Sequence, residues 1–223
     1  RSSAEALALA ELPPVWVPDS SAAECVICDA VFAYLKRRHH CRNCGAAICD
    51  ACSPARWPLW ALPTSYTADT RFRDRVRVCL SCDDDAKNFQ EAVLAGDANQ
   101  AEAIYNRSGN VNLRTPFPYH EDRACPVHLA SQSGSIELLQ WLIVTKHCPT
   151  ISRTVRGDTA LSFAAACMHV DAMSWLVRVG ASTVRDISDR ELLLGALHAA
   201  LDAHQLDPDL ERRILAVNHA AEA

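Results

Sequence analysis

Four cysteine pairs, each with two residues between its members, govern what this chain can fold into: Cys25/Cys28, Cys41/Cys44, Cys49/Cys52 and Cys79/Cys82. All four fall within 58 residues. Two-residue spacing lets both sulfurs of a knuckle reach one tetrahedral metal at about 2.3 Å. Four pairs complete two four-cysteine sites and leave no ligand position open to water. That pattern reads as two structural Zn2+ ions rather than a catalytic one. Redox pairs or buried thiols are the competing reading, and the density of the pairs argues against it. A disulfide framework needs an oxidising compartment, and the first residues carry no signal-peptide pattern. The central pairs, Cys41/Cys44 and Cys49/Cys52, are expected to serve different ions. An interleaved arrangement puts Cys25, Cys28, Cys49 and Cys52 on one ion and Cys41, Cys44, Cys79 and Cys82 on the other.

Metal also accounts for how this stretch folds. Residues 16–82 hold scattered prolines and short apolar runs, too little for an independent core. Metal binding contributes on the order of 10–16 kcal/mol in zinc-finger peptides, so chelation is expected to unfold this half. The whole chain is 49% apolar and 22% charged, an ordinary globular balance. No apolar run approaches the roughly 18 residues that cross a bilayer. Residue 1 is Arg, so a longer parent chain is expected.

The formal charge of −5 hides a division. Trp16 to Cys82 holds nine Lys/Arg against six Asp/Glu, whereas Asp83 to Ala223 holds twelve against nineteen. A basic front and an acidic rear suggest two modules with different partners. The densest positive segment is Lys36-Arg37-Arg38-His39-His40-Cys41-Arg42, which runs directly into a metal ligand. A knuckle preorganises the side chains beside it. Guanidinium forks suit phosphate oxygens, and His adds donors whose charge changes near neutral pH. Arg75 and Arg77 lie just ahead of the last knuckle, and the metal fold draws them toward the strip.

Three motifs carry a family resemblance: Trp16-Val17-Pro18-Asp19, the run Arg37-Arg38-His39-His40-Cys41-Arg42-Asn43-Cys44-Gly45, and Arg77-Val78-Cys79. With all eight cysteines in order, residues 14–84 resemble a FYVE zinc finger, the module that reads phosphatidylinositol 3-phosphate on endosomal membranes. The resemblance implies that Arg38, Arg42 and Arg77 contact the 3-phosphate and that Arg37 sits nearer the 1-phosphate. It implies that Asp19 and His40 hydrogen-bond inositol hydroxyls, with Asp19 crowding out more phosphorylated lipids, and that His39 orients the strip. Trp16 is expected to pack rather than touch ligand, and Phe32 to join the core. Family members push an apolar tip into the bilayer ahead of the basic strip, and Tyr34 and Leu35 are the counterparts here. One departure is the 26 residues between Cys52 and Cys79, longer than compact members use. Its Trp57, Leu59, Trp60 and Leu62 could fold over the metal core, make a second membrane contact or form a docking surface for the rear module, and packing is the favoured reading. Eight thiolates and two zinc dications bring the region from +3 to −1, so binding must rest on local placement of the Arg side chains. Stronger membrane binding at mildly acidic pH is expected as His39 and His40 gain charge.

The rear reads as helical. Asp83, Asp84 and Asp85 suit a helix N-terminus, with helix continuing through Ala86–Leu94 to Gly96. Stacked segments show self-similarity: Phe89 to Asp97, Pro126 to Gly134 followed by Ile136 to Leu142, and Gly157 to Ala166 followed by Ala172 to Leu176. These resemble ankyrin repeats. Cys125-Pro126-Val127-His128 and Asp158-Thr159-Ala160-Leu161 stand where that family places its T-P-L-H turn, and Met168 replaces an inter-helix glycine. The expected organisation is an N-terminal segment open to helix (1–13), a small zinc-stabilised α+β finger (14–85) and an all-α ankyrin-repeat solenoid (86–219). Residues 191–219 would form its capping helices. His120, His128, His147, His169, His198, His204 and His219 show no ligand spacing, and Cys125, Cys148 and Cys167 read as reduced thiols.

The leading expectation is a non-enzymatic adaptor, monomeric and cytoplasmic, peripheral on endosomal membranes. It would bind phosphatidylinositol 3-phosphate through the finger and an unidentified protein through the repeats. A nucleic-acid patch is disfavoured, because the strip lacks a C2H2 helix. A RING-type ubiquitin ligase also uses two interleaved zincs, but it wants a Cys-x-His pair centrally. A zinc-finger/ankyrin scaffold without lipid binding is the remaining alternative; such relatives usually lose the Arg/His core that is intact here.

Overall fold

The computed structural model describes residues 14–67 and 74–179. The N-terminal segment 1–13, Gly180, the expected capping helices of 191–219, and His198, His204 and His219 lie outside the described residues. Two compact units divide the chain: Arg1–Phe89 with Glu102–Tyr119, and Gln90–Ala101 with His120–Ala223.

The first unit is built around the knuckles. Strands β1 (His39–His40) and β2 (Ala47–Ile48) are antiparallel and pair His39 with Ile48 and His40 with Ala47. The reversal between them is the Cys41–Cys44 knuckle, closed by Gly45 at φ +79°. Only glycine fits there, because a Cβ would stand 2.5 Å from the Val15 carbonyl oxygen. That close approach seats the Trp16–Asp19 segment, whose Val17 N–H donates to the Gly45 carbonyl at 3.1 Å. Strands β3 (Arg56–Pro58) and β4 (Arg75–Arg77) form a second antiparallel pair that sets Arg56 opposite Arg77. The long insert thus contributes packing, as expected: Trp57, Leu62, Val76 and Val78 are buried against the ligand sulfurs. Among the described residues, that cluster consists of six ligand cysteines and five other side chains. So few apolar groups cannot offset the chain entropy of ordering the unit.

Helix α1 (Leu80–Leu94) begins inside the last knuckle, three residues ahead of the acidic run read as its start. The Cys79–Cys82 knuckle is itself the first turn, with the Asp83 N–H donating to the Cys79 carbonyl at 3.1 Å. Asp83 is instead a buried junction. It accepts hydrogen bonds from Trp57 Nε1 at 2.7 Å and from the Tyr119 hydroxyl, and its other oxygen pairs with Lys87 at 2.7 Å. Burial would raise its carboxyl, but the bonds from Lys87, Tyr119 and Trp57 outweigh that and hold it below the ordinary value.

Past helix α2 (Ala98–Ser108), the chain returns as a strap over the finger. The buried Asn43 donates through Nδ2 to the Asn110 carbonyl at 2.8 Å and accepts at Oδ1 from Asn112 Nδ2 at 2.9 Å. Phe117 meets Phe89 with ring centroids 6.0 Å apart.

The second unit contains two helical hairpins. Helix α3 (Pro126–Ser133) turns at Gly134 into α4 (Ile136–Gln140), which continues as a π-helical turn, Trp141–Thr145. Helix α5 (Ala160–Ala166) turns at Met168 into α6 (Val170–Arg178). Helices α3 and α5 pack on each other, as do α4 and α6. Gly134 and Met168 occupy equivalent left-handed positions, φ +73° and +59°. A Cβ at Gly134 would come within 2.7 Å of the His169 ring, so a larger residue at the first turn would displace that side chain.

Both first helices open with a reciprocal capping box. The Cys125 N–H donates to His128 Nδ1 at 3.0 Å, and the Thr159 N–H donates to Ser162 Oγ at 3.1 Å. The counterpart of Cys125–His128 is therefore Thr159–Ser162, one residue later than the sequence register suggested. The competing signal was Asp158, whose carbonyl instead accepts from the Thr154 N–H at 2.9 Å.

Candidate functional site

The eight knuckle cysteines gather into two groups, Cys25, Cys28, Cys49, Cys52 and Cys41, Cys44, Cys79, Cys82. Within each group the sulfurs all lie within 4.8 Å of one another. Tetrahedral Zn–S bonds of about 2.3 Å place sulfurs about 3.8 Å apart. Cys28 and Cys49 sulfurs stand at 3.8 Å, and those of Cys44 and Cys79 at 3.9 Å. The residues fit the metal, and the pairing is interleaved. Backbone N–H groups point at the sulfurs as a thiolate requires: Cys79 N–H to Cys41 Sγ at 3.3 Å and Cys82 N–H to Cys79 Sγ at 3.5 Å. Burial pushes the Cys25 thiol up, but backbone hydrogen bonds from Cys49, Ile27 and Cys28 prevail and bring it to about 6. Among the described residues no other group of three or more His, Cys, Asp or Glu gathers in this way.

The basic strip is sorted by these cages into two contact sets. In the first, Asp19 lies 3.6 Å from Arg38 and 3.7 Å from His40. His40 Nε2 also meets the Val17 carbonyl at 2.8 Å, and its ring stacks on Trp16 at 5.1 Å and 18°. The Arg42 guanidinium lies 4.6 Å over Trp16, and its Nη1 donates to the His40 carbonyl. Trp16 does pack, as expected, but against the strip rather than in the core, and it remains 43% exposed. Phe32 is half-buried against the metal core and carries the Arg38 guanidinium 5.0 Å over its ring. In the second set, Arg77 Nη1 donates to Asp50 at 2.6 Å and to Ser53 Oγ at 2.8 Å, and His39 Nε2 lies 3.9 Å from Asp50. A backbone bond of 3.0 Å, Arg42 N–H to Arg77 carbonyl, joins the two sets. Arg37 is exposed.

Burial, then the neighbouring Arg77, push the His39 imidazole below its ordinary value. The hydrogen bond from Arg77, reinforced by its charge, holds the Asp50 carboxyl below the usual carboxylate range. Tyr34 and Leu35 are 90% and 94% exposed, with Val26 and Val31 also open to solvent.

Sequence reasoning named neither Asp50 nor Ser53 nor Asn43 as functional. Asp50 sits inside a knuckle, where residues were read only as spacers, and Ser53 opens the insert, which was read for its aromatic and apolar residues. A carboxylate fixed between two ligand cysteines of a basic finger is the signal that could have found Asp50.

Comparison with known proteins agrees with this geometry. Residues 15–88 match the FYVE zinc finger family. A stretch of 82 residues is 40% identical to human zinc finger FYVE domain-containing protein 9, covering 37% of this chain and 5% of that protein. The match includes the eight thiolate ligands and the strip between them, and residues 15–88 of this chain are a FYVE zinc finger with two structural zinc sites.

Proposed function

We propose that this chain is a non-enzymatic adaptor that reads phosphatidylinositol 3-phosphate with its finger and holds a protein partner on its helical hairpins. The observation that carries the reading is the placement of Arg38, His40 and Arg42 around Asp19 and Trp16, on a backbone fixed by two metal cages. Arg38, Arg42 and Arg77 would take the 3-phosphate and Arg37 the 1-phosphate. Asp19 and His40 would take inositol hydroxyls, and His39 would orient the strip. A cationic cleft attracts any phosphate, whereas acceptors at fixed positions select one isomer. Tyr34 and Leu35, open to solvent beside the strip, would enter the bilayer. One inserted Leu adds roughly 1.5–3 kcal/mol, enough to reinforce headgroup binding and too little to anchor alone. Such a protein sits peripherally on endosomal membranes.

The partner-binding half rests on the second unit. Its two hairpins repeat after the same interval, with matching capping boxes and matching left-handed turns at Gly134 and Met168. Those features favour ankyrin repeats, whose stacked arrays offer an extended face to proteins. The test is flotation with vesicles carrying each phosphoinositide isomer, the parent beside Arg38→Ala. Recovery on the 3-phosphate isomer, lost in the variant, is expected. Equal recovery on every isomer ends the claim of stereospecific reading.

A further inference from the structure

We infer that Asp50 is a built-in competitor for the lipid phosphate, and that it sets the strength and the charge selectivity of the finger. The inference rests on the proposed lipid reading, which assigns Arg77 to a phosphate. Arg77 already has an anionic partner. Its Nη1 donates to Asp50 Oδ1 at 2.6 Å, to Ser53 Oγ at 2.8 Å and to the Ser53 carbonyl at 3.4 Å.

This pair is held by the metal framework on both sides. Asp50 lies between Cys49 and Cys52, both on one ion, and Arg77 lies two residues ahead of Cys79, on the other. Ser53 is fully buried, with its hydroxyl donating to the Cys49 carbonyl at 2.8 Å. Neither backbone can drift to relax the contact. The Asp50 side chain is nonetheless 79% exposed, so it stands where an incoming anion arrives. His39 lies 3.9 Å from the same carboxylate oxygen, and Arg56 is paired with Arg77 across the β3–β4 ladder. Arg77 and His39 thus share one carboxylate, and the Arg56 charge acts on it from farther off.

The consequence is a tax on every phosphate. A headgroup that engages Arg77 must take it from Asp50 or share it, and in either case it meets a negative charge at close range. The penalty grows with the charge of the headgroup. Asp50 therefore costs a singly phosphorylated inositol lipid some affinity and a multiply phosphorylated one more. It is a repulsive element that sharpens discrimination, distinct from Asp19, whose contacts are with Arg38 and His40.

The test is Asp50→Asn, which keeps an oxygen acceptor for Arg77 and removes the charge. Asp50→Ser is the second variant, with Arg38→Ala as the loss control and zinc content measured for all. Phosphatidylcholine vesicles containing phosphatidylinositol 3-phosphate, or phosphatidylinositol 3,5-bisphosphate, are titrated. Both Asp50 variants should bind the monophosphate vesicles roughly three- to tenfold more tightly than the parent and gain more on the bisphosphate. A lost fold cannot mimic a gain in binding. Parent binding that is unchanged or weakened by both variants, while Arg38→Ala abolishes it, overturns the inference and leaves the lipid reading standing. A parent no better than Arg38→Ala on the monophosphate vesicles overturns the lipid reading, and the inference falls with it.

Discussion

Trp16 shows how a single exposed aromatic can serve a charged site. It stacks on the His40 ring and underlies the Arg42 guanidinium, so it braces two side chains of the strip without occupying the core. Cation–π contacts at exposed sites are worth about 0.5–1 kcal/mol. Trp16→Ala should therefore weaken binding to phosphatidylinositol 3-phosphate vesicles about two- to fivefold and leave two zinc ions per chain, by titration and metal analysis respectively. His128 is the opposite case, a histidine with no exposure. Its Nδ1 accepts from the Cys125 N–H at 3.0 Å, and its Nε2 meets the Ser152 carbonyl at 2.9 Å. Burial holds its imidazole below the ordinary value, and a proton on Nδ1 would break the capping bond. The unfolded chain takes up that proton near pH 6.5 and the folded one does not. The stability from neutral His128 is therefore complete above about pH 6.5 and is lost as pH falls from there toward the lowered native value. Thermal melts between pH 7.5 and 5.5 should show a steeper fall for the parent than for His128→Gln, and parallel curves would remove His128 from this role.

At the scale of elements, the strap matters most to the finger. Asn43 sits between Arg42 and the ligand Cys44, and it is bonded to residues 67 and 69 positions away. Asn43→Ala removes both bonds to the strap, whose Asn110 and Asn112 ends are exposed and half-buried, at about 0.5–1.5 kcal/mol each. It should lower the denaturant midpoint of the zinc-loaded protein and loosen the strip, read as faster amide exchange at Arg42 and Arg77. These elements also mark what could be read from the chain. The knuckles and their interleaving were legible because metal ligation demands fixed residue types at fixed short spacing. The helical hairpins were legible because Gly134 and the Cys125–His128 turn leave local signals. Nothing local marks Asn43, Asn110 and Asn112 as partners: asparagine is common in loops, and its bonding here depends on chain return over a long separation. Asp50 escaped for a related reason, since its partner Arg77 lies 27 positions on and only the folded metal core brings them together. The start of α1 was misplaced because the acidic run Asp83–Asp85 imitates a helix N-terminus, while the metal knuckle had already begun the turn.

For the whole molecule, the question is which parts depend on metal. The finger's described core is mostly ligand sulfur, so removing zinc leaves thiolates whose mutual repulsion opposes closure. The free energy lost is on the order of 10–16 kcal/mol by analogy with zinc-finger peptides, comparable to or greater than the whole stability of an ordinary domain. The second unit has a different core, with Leu129, Leu138, Leu139, Leu142, Leu161, Met173 and Leu176 all buried and no gathered metal-ligand group among its described residues. A strong chelator should therefore divide the chain along its two compact units. Hydrogen exchange on the zinc-loaded protein, before and after chelation, is the measurement. Residues 39–48 and 75–82 should lose protection first, and residues 109–119 should lose it with them, because the strap is bonded to Asn43 and Asp83. Helices α3 to α6 should keep most of theirs. If residues 109–119 stay protected after the knuckles have opened, the strap belongs energetically to the helices and not to the finger. If all of the helices open together with the knuckles, the chain folds as one cooperative body and the division into two units has no thermodynamic counterpart.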